Sequence, residues 1–387
     1  MAKYDFDQLI PRRGTNSVKW DEEPAADILP MWVADMDFRT APCVVEALRR
    51  RVEHGVYGYA TVPESYYGAV TSWFARRHGW APGADWILPV TGVIPALSAI
   101  LRALTRPGDR VLVLTPVYNH FFIAIDNSGC SAAECELTYG DNRYTVDFDA
   151  LERRAADPAV KLMLLCNPHN PIGKVLTLEE ELRLSDLAAQ YDVRIFNDEI
   201  HAPFVFEGKH IPFPTISEQA ALQSMTATSA SKSFNIPGTK CAQVLLTNPA
   251  DRDMWAVKAE WSEHQTATIG AIATTTAYNE GDLWFQDAFA YVRRNLALFD
   301  EQMRERFAGV GYIKPQGTYI AWLDFSPLGI DDPAAYFLEK AQVALTDGRS
   351  CGETGAGCVR VNIAMPYPLL VECLDRMYGA LHADGLL

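Results

Sequence analysis

One lysine, Lys232, stands at the centre of residues 226–240 (TATSASKSFNIPGTK), flanked by the hydroxyls of Ser229, Ser231 and Ser233. A lysine among small polar residues, rather than on a charged helix face, points to an amine held in a pocket. Desolvation or a nearby cation lowers the pKa of such an amine and frees its lone pair to attack a carbonyl cofactor. Taken alone, the stretch reads first as a lysine on a polar loop. Three further stretches add chemistry. Cys166-Asn167-Pro168-His169-Asn170-Pro171-Ile172-Gly173 follows an apolar run with a double Asn-Pro turn that points Asn170 back toward it. Asn197-Asp198-Glu199-Ile200-His201 ends a second apolar run on an acid. Such an acid suits a helix cap, a solvated charge or the partner of a protonated ring nitrogen in an electron-sink cofactor. Val90-Thr91-Gly92-Val93-Ile94-Pro95 reads as a strand-to-helix turn. There glycine allows close backbone approach, and the free N–H groups and dipole of the helix favour a phosphate.

These residues require a scaffold that gathers strand ends. Apolar β runs are expected as strands at residues 86–90, 110–114, 160–165, 193–197, 223–228 and 241–246, with helices at 94–104 and 178–191. Pro42 with Val44, Val45 and Leu48 begins an earlier helix, and residues 65–77 read as another. Continuous apolar strands joined by helices indicate an α/β fold with a mainly parallel central sheet covered by helices, in which ligands bind where strands end. After Gly270 the pattern turns helical (271–279, 283–307). It then gives strands at 318–325 and 359–363 and helices at 333–341 and 369–383, a small α+β domain. Residues 1–45 are expected to form an arm and part of the small domain, 46–285 the large cofactor-binding domain and 286–387 the small domain.

The length of 387 residues suits two closely packed domains. A net charge of −15 argues against nucleic acid or an anionic membrane as the main partner and reads most simply as solubility. The eight cysteines show no C-x-x-C spacing and no accompanying histidine cluster, so no metal is expected. The N-terminus lacks a signal-peptide pattern and no 18-residue apolar stretch occurs, which makes the cytoplasm the expected compartment.

The four stretches occur in one order, each at the end of an expected strand, and with others they carry a resemblance. These others are residues 12–21 (RRGTNSVKWD), 29–38 (LPMWVADMDF), Tyr57-Gly58-Tyr59, Gly317-Thr318-Tyr319-Ile320-Ala321-Trp322 and Val359-Arg360-Val361-Asn362. Over nearly its whole length the chain resembles fold-type I pyridoxal-phosphate enzymes of the aminotransferase class I/II superfamily (aspartate aminotransferase-like). Within it, the chain is most similar to the MalY/PatB group of cystathionine β-lyase-like carbon–sulfur lyases. The resemblance implies pyridoxal 5'-phosphate as cofactor and Lys232, Tyr59 and Tyr118 as the catalytic set, with Lys232 forming the Schiff base and moving the Cα proton. Asp198 would pair with the ring nitrogen, Asn170 and His201 would serve the ring hydroxyl, and Tyr118 would stack on the ring. Gly92, Val93, Ser229 and Lys240 would hold the phosphate, with Tyr59 reaching it from the second subunit of a homodimer. Lys240 stands where many relatives carry arginine, so a point charge replaces a bidentate fork. Arg360, with Asn170 and the backbone at Val33 and Ala34, would bind the amino-acid substrate, and Trp32 and Trp261 would line the pocket.

The implied reaction is β-elimination of a cysteine S-conjugate, cystathionine-like or bulkier, to thiol, pyruvate and ammonia. Transamination, or decarboxylation coupled to oxidative deamination of an S-cysteinyl conjugate, would use the same residues, and both stay open. Ile172, Pro203, Cys351, Cys358 and Tyr367 depart from the group's pattern and are expected at or near the substrate side.

Overall fold

The computed structural model describes residues 4–22, 25, 27–140, 143–258 and 265–387; Trp261 lies outside the described residues. The chain begins with α1 (Val18–Asp21), β1 (Leu29–Pro30), α2 (Pro42–His54) and α3 (Glu64–His78). Proline at its first position starts α2, and Gly55 in the left-handed conformation stops it. Next come β2 (Ile87–Val90), α4 (Val93–Leu104), β3 (Arg110–Thr115), α5 (Asn119–Asn127), β4 (Ser131–Gly140), β5 (Arg143–Val146) and α6 (Phe148–Ala155). They lead into β6 (Val160–Cys166), α7 (Leu178–Gln190), β7 (Arg194–Asp198), α8 (Glu218–Gln223), β8 (Ser224–Thr228), α9 (Ala230–Ser233) and β9 (Ala242–Leu245).

These strands form one sheet in the order β2-β9-β8-β7-β6-β3-β4-β5. The pairs β3–β4, β3–β6, β6–β7 and β7–β8 are parallel, whereas β9 runs antiparallel to both β8 and β2. The directions have one consequence for function. β2, β3, β6, β7 and β8 all end at one edge of the sheet, and β9 begins there. Side-chain alternation splits the strands between two cores. Val111 and Val113 face Leu97 and Ile100 of α4, while Leu112 and Leu114 share the other face with Leu184 of α7. Burial on both faces is why β3 and β6 read as unbroken apolar runs.

Residues 115–159 hold four elements that the sequence reading does not anticipate: α5, β4, β5 and α6. β4 buries only Ala133, Cys135 and Leu137 among exposed or half-buried neighbours, and β5 pairs with it at the open edge of the sheet. Neither strand carries a continuous apolar run.

The chain continues through α10 (Pro249–Lys258), α11 (Thr268–Glu280), α12 (Asp282–Glu305), β10 (Gly311–Tyr312), β11 (Ile320–Asp324) and α13 (Pro333–Ala341). It closes with β12 (Val343–Ala344), β13 (Thr346–Asp347), β14 (Cys358–Asn362) and α14 (Tyr367–Ala383). β10-β11-β14-β13 form an antiparallel sheet, and β1 pairs in parallel with β12. The largest core joins this sheet to the arm: Met31, Met36 and Phe38 pack with Trp73, Phe285, Val361 and Leu374. α12 runs unbroken through residues 285 and 286. No described helix is long and apolar enough to cross a membrane.

Candidate active site

The sheet edge where strands end opens into a cavity of about 1220 Å³. Lys232, Asp198, Asn170, His201, Tyr118 and Arg360 border it, and so do Gly92, Val93, Ser229, Lys240, Val33 and Ala34. The structure thus brings together twelve of the thirteen residues given a catalytic, cofactor-binding or substrate-binding role from the sequence. Tyr59 stands apart, fully exposed at 102%.

Asp198, Lys232 and Asn170 arrive at or just beyond strand ends. Asp198 terminates β7, and Lys232 sits in α9, one turn of helix directly after β8. Lys232 Nζ donates to the Ala34 carbonyl at 2.6 Å. Burial, then the positive charge of Arg360, lowers its pKa to about 8 against the pull of Asp35 and Asp198. Burial raises the Asp198 pKa to about 7, although Ile200 N–H donates to it at 3.0 Å. A buried carboxylate with so little compensation is a receptor for a cation. Burial, Lys232 and Arg360 push His201 well below its ordinary value, so its ring is neutral. Its Nδ1 is buried without a hydrogen-bond partner.

Arg360, 6% exposed on β14, crosses from the small sheet into the cavity. Its Nη2 donates to the Trp32 carbonyl at 3.0 Å and to Thr346 Oγ1 at 3.3 Å, and its Nη1 reaches Asn170 Oδ1 at 3.4 Å. The guanidinium lies 5.9 Å from the Tyr118 ring centroid. Tyr118 caps α5 just beyond β3, and its ring stacks on His120 at 4.9 Å. Asn170 is held by the turn after β6. There Gly173 has φ +69, and a Cβ on it would lie 2.2 Å from Pro315, so only glycine fits. His169, in the same turn, is buried with Nε2 3.1 Å from the Leu114 carbonyl, and burial lowers its pKa to about 4.

The far end of the cavity suits an anion. α4 begins at Val93 with its first N–H groups facing the space beside Gly92. Ser229 Oγ donates to the Cys241 carbonyl at 2.7 Å and accepts from Ser231 N at 3.0 Å. Lys240 reaches the same edge because β9 runs against its neighbours. It adopts φ 53 where α11 packs so closely that a Cβ on Gly270 would lie 2.4 Å from the Thr239 carbonyl.

A charge network that lines the cavity at Arg12, Asp35 and Asp37 and continues behind it to Lys19 is the part that sequence reasoning missed. Arg12 bridges Asp35 (2.5 Å) and Asp37 (2.6 Å), and the fully buried Lys19 pairs with Asp37 at 2.6 Å. Trp20 Nε1 donates to Asp37 at 2.7 Å. Asn235 reinforces the segment, accepting from Met36 N and donating to the Met36 and Phe38 carbonyls. Asn362 donates to the Val33 and Asp35 carbonyls at 2.7 and 2.6 Å, and Tyr319 donates to the Ala34 carbonyl at 3.2 Å. Together these contacts fix the Ala34 carbonyl that receives Lys232. The paired acids at 35 and 37 and the basic residues at 12 and 19 were the available signal.

The five departures are absent from the cavity wall. None of Ile172, Pro203, Cys351, Cys358 and Tyr367 borders the cavity. Ile172, Cys351 and Cys358 turn into the apolar core on one face of the large sheet. Tyr367 lies under the Arg294 guanidinium, 4.0 Å from its ring centroid. Trp32 does border the cavity, held by its Nε1 donating to the Lys19 carbonyl at 3.2 Å.

Residues 26–376 match the family described as aminotransferase class I and II. Cystathionine β-lyase PatB of Bacillus subtilis (strain 168) is 35% identical, covering 97% of this chain and 100% of that protein. Protein MalY of Escherichia coli (strain K12) is 34% identical over 98% and 99%. The crystal structure of cystalysin from Treponema denticola, which contains a pyridoxal 5'-phosphate cofactor, superimposes with a TM-score of 0.92. It is 33% identical, covering 98% of this chain and 99% of that one.

Proposed function

The chain belongs to the aminotransferase class I and II family, and from that premise we propose that it is a pyridoxal-phosphate-dependent carbon–sulfur β-lyase. The substrate class is a cysteine S-conjugate, R–S–CH2–CH(NH3+)–COO−. With one water it yields the thiol, pyruvate and ammonium as the Cβ–S bond breaks. The observation that carries the reading is the meeting of Lys232, Asp198 and Arg360 in one cavity with an anion-binding end.

The residues present fit the cofactor. Asp198 is a buried acid short of a positive partner, His201 has an unpaired buried nitrogen, and the start of α4 offers free N–H groups. Pyridoxal phosphate, when bound, supplies a carbonyl that takes up the substrate amine and a conjugated ring that draws electrons from its Cα. Asp198 would keep the ring nitrogen protonated. Asn170 and the neutral His201 would serve the ring hydroxyl, and Tyr118 would pack on the ring. Gly92 and Val93 N–H groups, Ser229 and Lys240 would hold the phosphate. Arg360 exchanges its long contact to Asn170 for the substrate carboxylate, a charge-assisted fork. Lys232, with its pKa lowered to about 8, takes the proton from Cα and gives one to the departing sulfur.

The enzyme acts as a cytoplasmic homodimer in this reading. Val52, Val56, Tyr57 and Tyr59 are exposed apolar side chains that support it, and Tyr59 would reach the phosphate of the second copy.

The test is to incubate cofactor-loaded enzyme with S-alkyl and S-aryl cysteines and follow products. Free thiol and pyruvate in equal amounts, with no keto-acid acceptor added, are expected. Turnover that requires a keto acid, or carbon dioxide released without thiol, would overturn the lyase reading.

A further inference from the structure

A second cavity, of about 450 Å³, shares none of its lining residues with the first. Ala202, Pro203 and Val205 form one wall, immediately after His201 in the chain, and Phe285 and Phe289 of α12 contribute rings. Arg77 and His78 at the end of α3, with Lys209 and His210, bring four nitrogen-bearing side chains to this small space.

His210 is the informative residue. Its Nε2 lies 3.0 Å from Glu199 Oε2, and the other oxygen of Glu199 accepts from Asn197 Nδ2 at 2.7 Å and Phe213 N at 2.8 Å. That carboxylate fixes the ring. The opposite nitrogen, Nδ1, is buried with no partner, on a side chain only 2% exposed. Arg77 Nε is likewise buried and unpaired, while its Nη2 donates to Asp282 at 2.8 Å. A buried unpaired nitrogen costs free energy until a group enters to share its hydrogen bond. The neighbouring His78 stays neutral: burial first, then His210, Arg77 and Lys209, lowers its pKa to about 3.

We propose that this cavity is a second binding site, for a small organic carboxylate with an aryl or alkyl body. The carboxylate meets His210 Nδ1, on the side of the ring away from Glu199. Lys209 adds a positive charge at the exposed rim. Phe285 and Phe289 take the apolar body.

Calorimetric titration of the cofactor-loaded enzyme with phenylacetate tests this, with uncharged phenylacetamide as control. Saturable binding is expected, weakened about tenfold or more by Lys209→Glu, by His210→Gln and by Gln286→Trp, which plugs the mouth from an exposed position on α12. Arg360→Lys, in the first cavity, should leave it unchanged. Lys209→Glu and Gln286→Trp alter exposed side chains, so they keep the test valid if His210→Gln fails to fold. Four results would overturn the proposal: no saturable binding into the millimolar range, equal binding of phenylacetamide, affinity unmoved by the three variants, or loss of binding in Arg360→Lys.

Discussion

Asp198→Asn should stabilise the cofactor-free protein while abolishing its activity. In the folded chain burial raises the Asp198 pKa to about 7 from an ordinary 3.8. A carboxyl whose folded pKa lies above its unfolded value binds its proton more tightly in the folded state. Below about pH 4 both states are protonated and nothing is lost. Between there and about pH 7 the unfolded chain ionises first, and the folded state loses ~1.4 kcal/mol per pH unit. Above pH 7 the loss levels off at about 4 kcal/mol. Asparagine mimics the protonated acid, keeps an oxygen for the Ile200 N–H and removes the titration.

Scanning calorimetry of the cofactor-free proteins reads the difference. At ~2.1 cal/mol/K per residue for a chain of 387 residues, 4 kcal/mol corresponds to about 5 °C in Tm. Asp198→Asn should therefore melt about 2 °C above the wild type at pH 5 and about 5 °C above it at pH 8. Cofactor addition should reverse the order, because a cationic ring nitrogen rewards only the carboxylate. A Tm difference that does not change with pH, or a destabilised variant at pH 8 without cofactor, would refute the claim that Asp198 is an uncompensated buried acid.

Arg360→Lys replaces a fork with a point charge and should raise KM for a cysteine S-conjugate about tenfold or more while leaving the cofactor absorbance unchanged; an unaltered KM would count against carboxylate binding there. Lys19→Met leaves Asp37 buried with one cation fewer and should cost about 3–5 kcal/mol in urea denaturation, whereas a loss below ~1 kcal/mol would mean that the pair is not coupled. Mixing Lys232→Ala subunits with Tyr59→Ala subunits should give activity above that of either variant alone, because a hybrid dimer has one intact site. A mixture no more active than its parents would place Tyr59 outside the partner's site.

The chemistry of this protein was legible because its reactive groups announce themselves locally. Asp198 and Asn170 close apolar runs, Gly92 opens a helix and Lys232 sits among serines. A parallel sheet then has only one edge at which such strand ends can gather, so strand directions alone bring these groups together. Local patterns also gave the buried strands, whose apolar runs are continuous, but not β4 and β5, whose half-exposed faces are not. What the tertiary structure decided lies between segments far apart in sequence. Asn235 grips the backbone at Met36 and Phe38 from nearly 200 positions away, and Arg12 and Lys19 find Asp35 and Asp37 only when the arm folds against the cavity. The direction of a side chain is settled in the same way. Cys351 and Cys358, expected at or near the substrate side as departures from the group's pattern, turn their side chains into the core. Residue type and spacing fix what a side chain can do; which side chains meet, and which face the cavity, depends on burial that no short stretch of sequence contains.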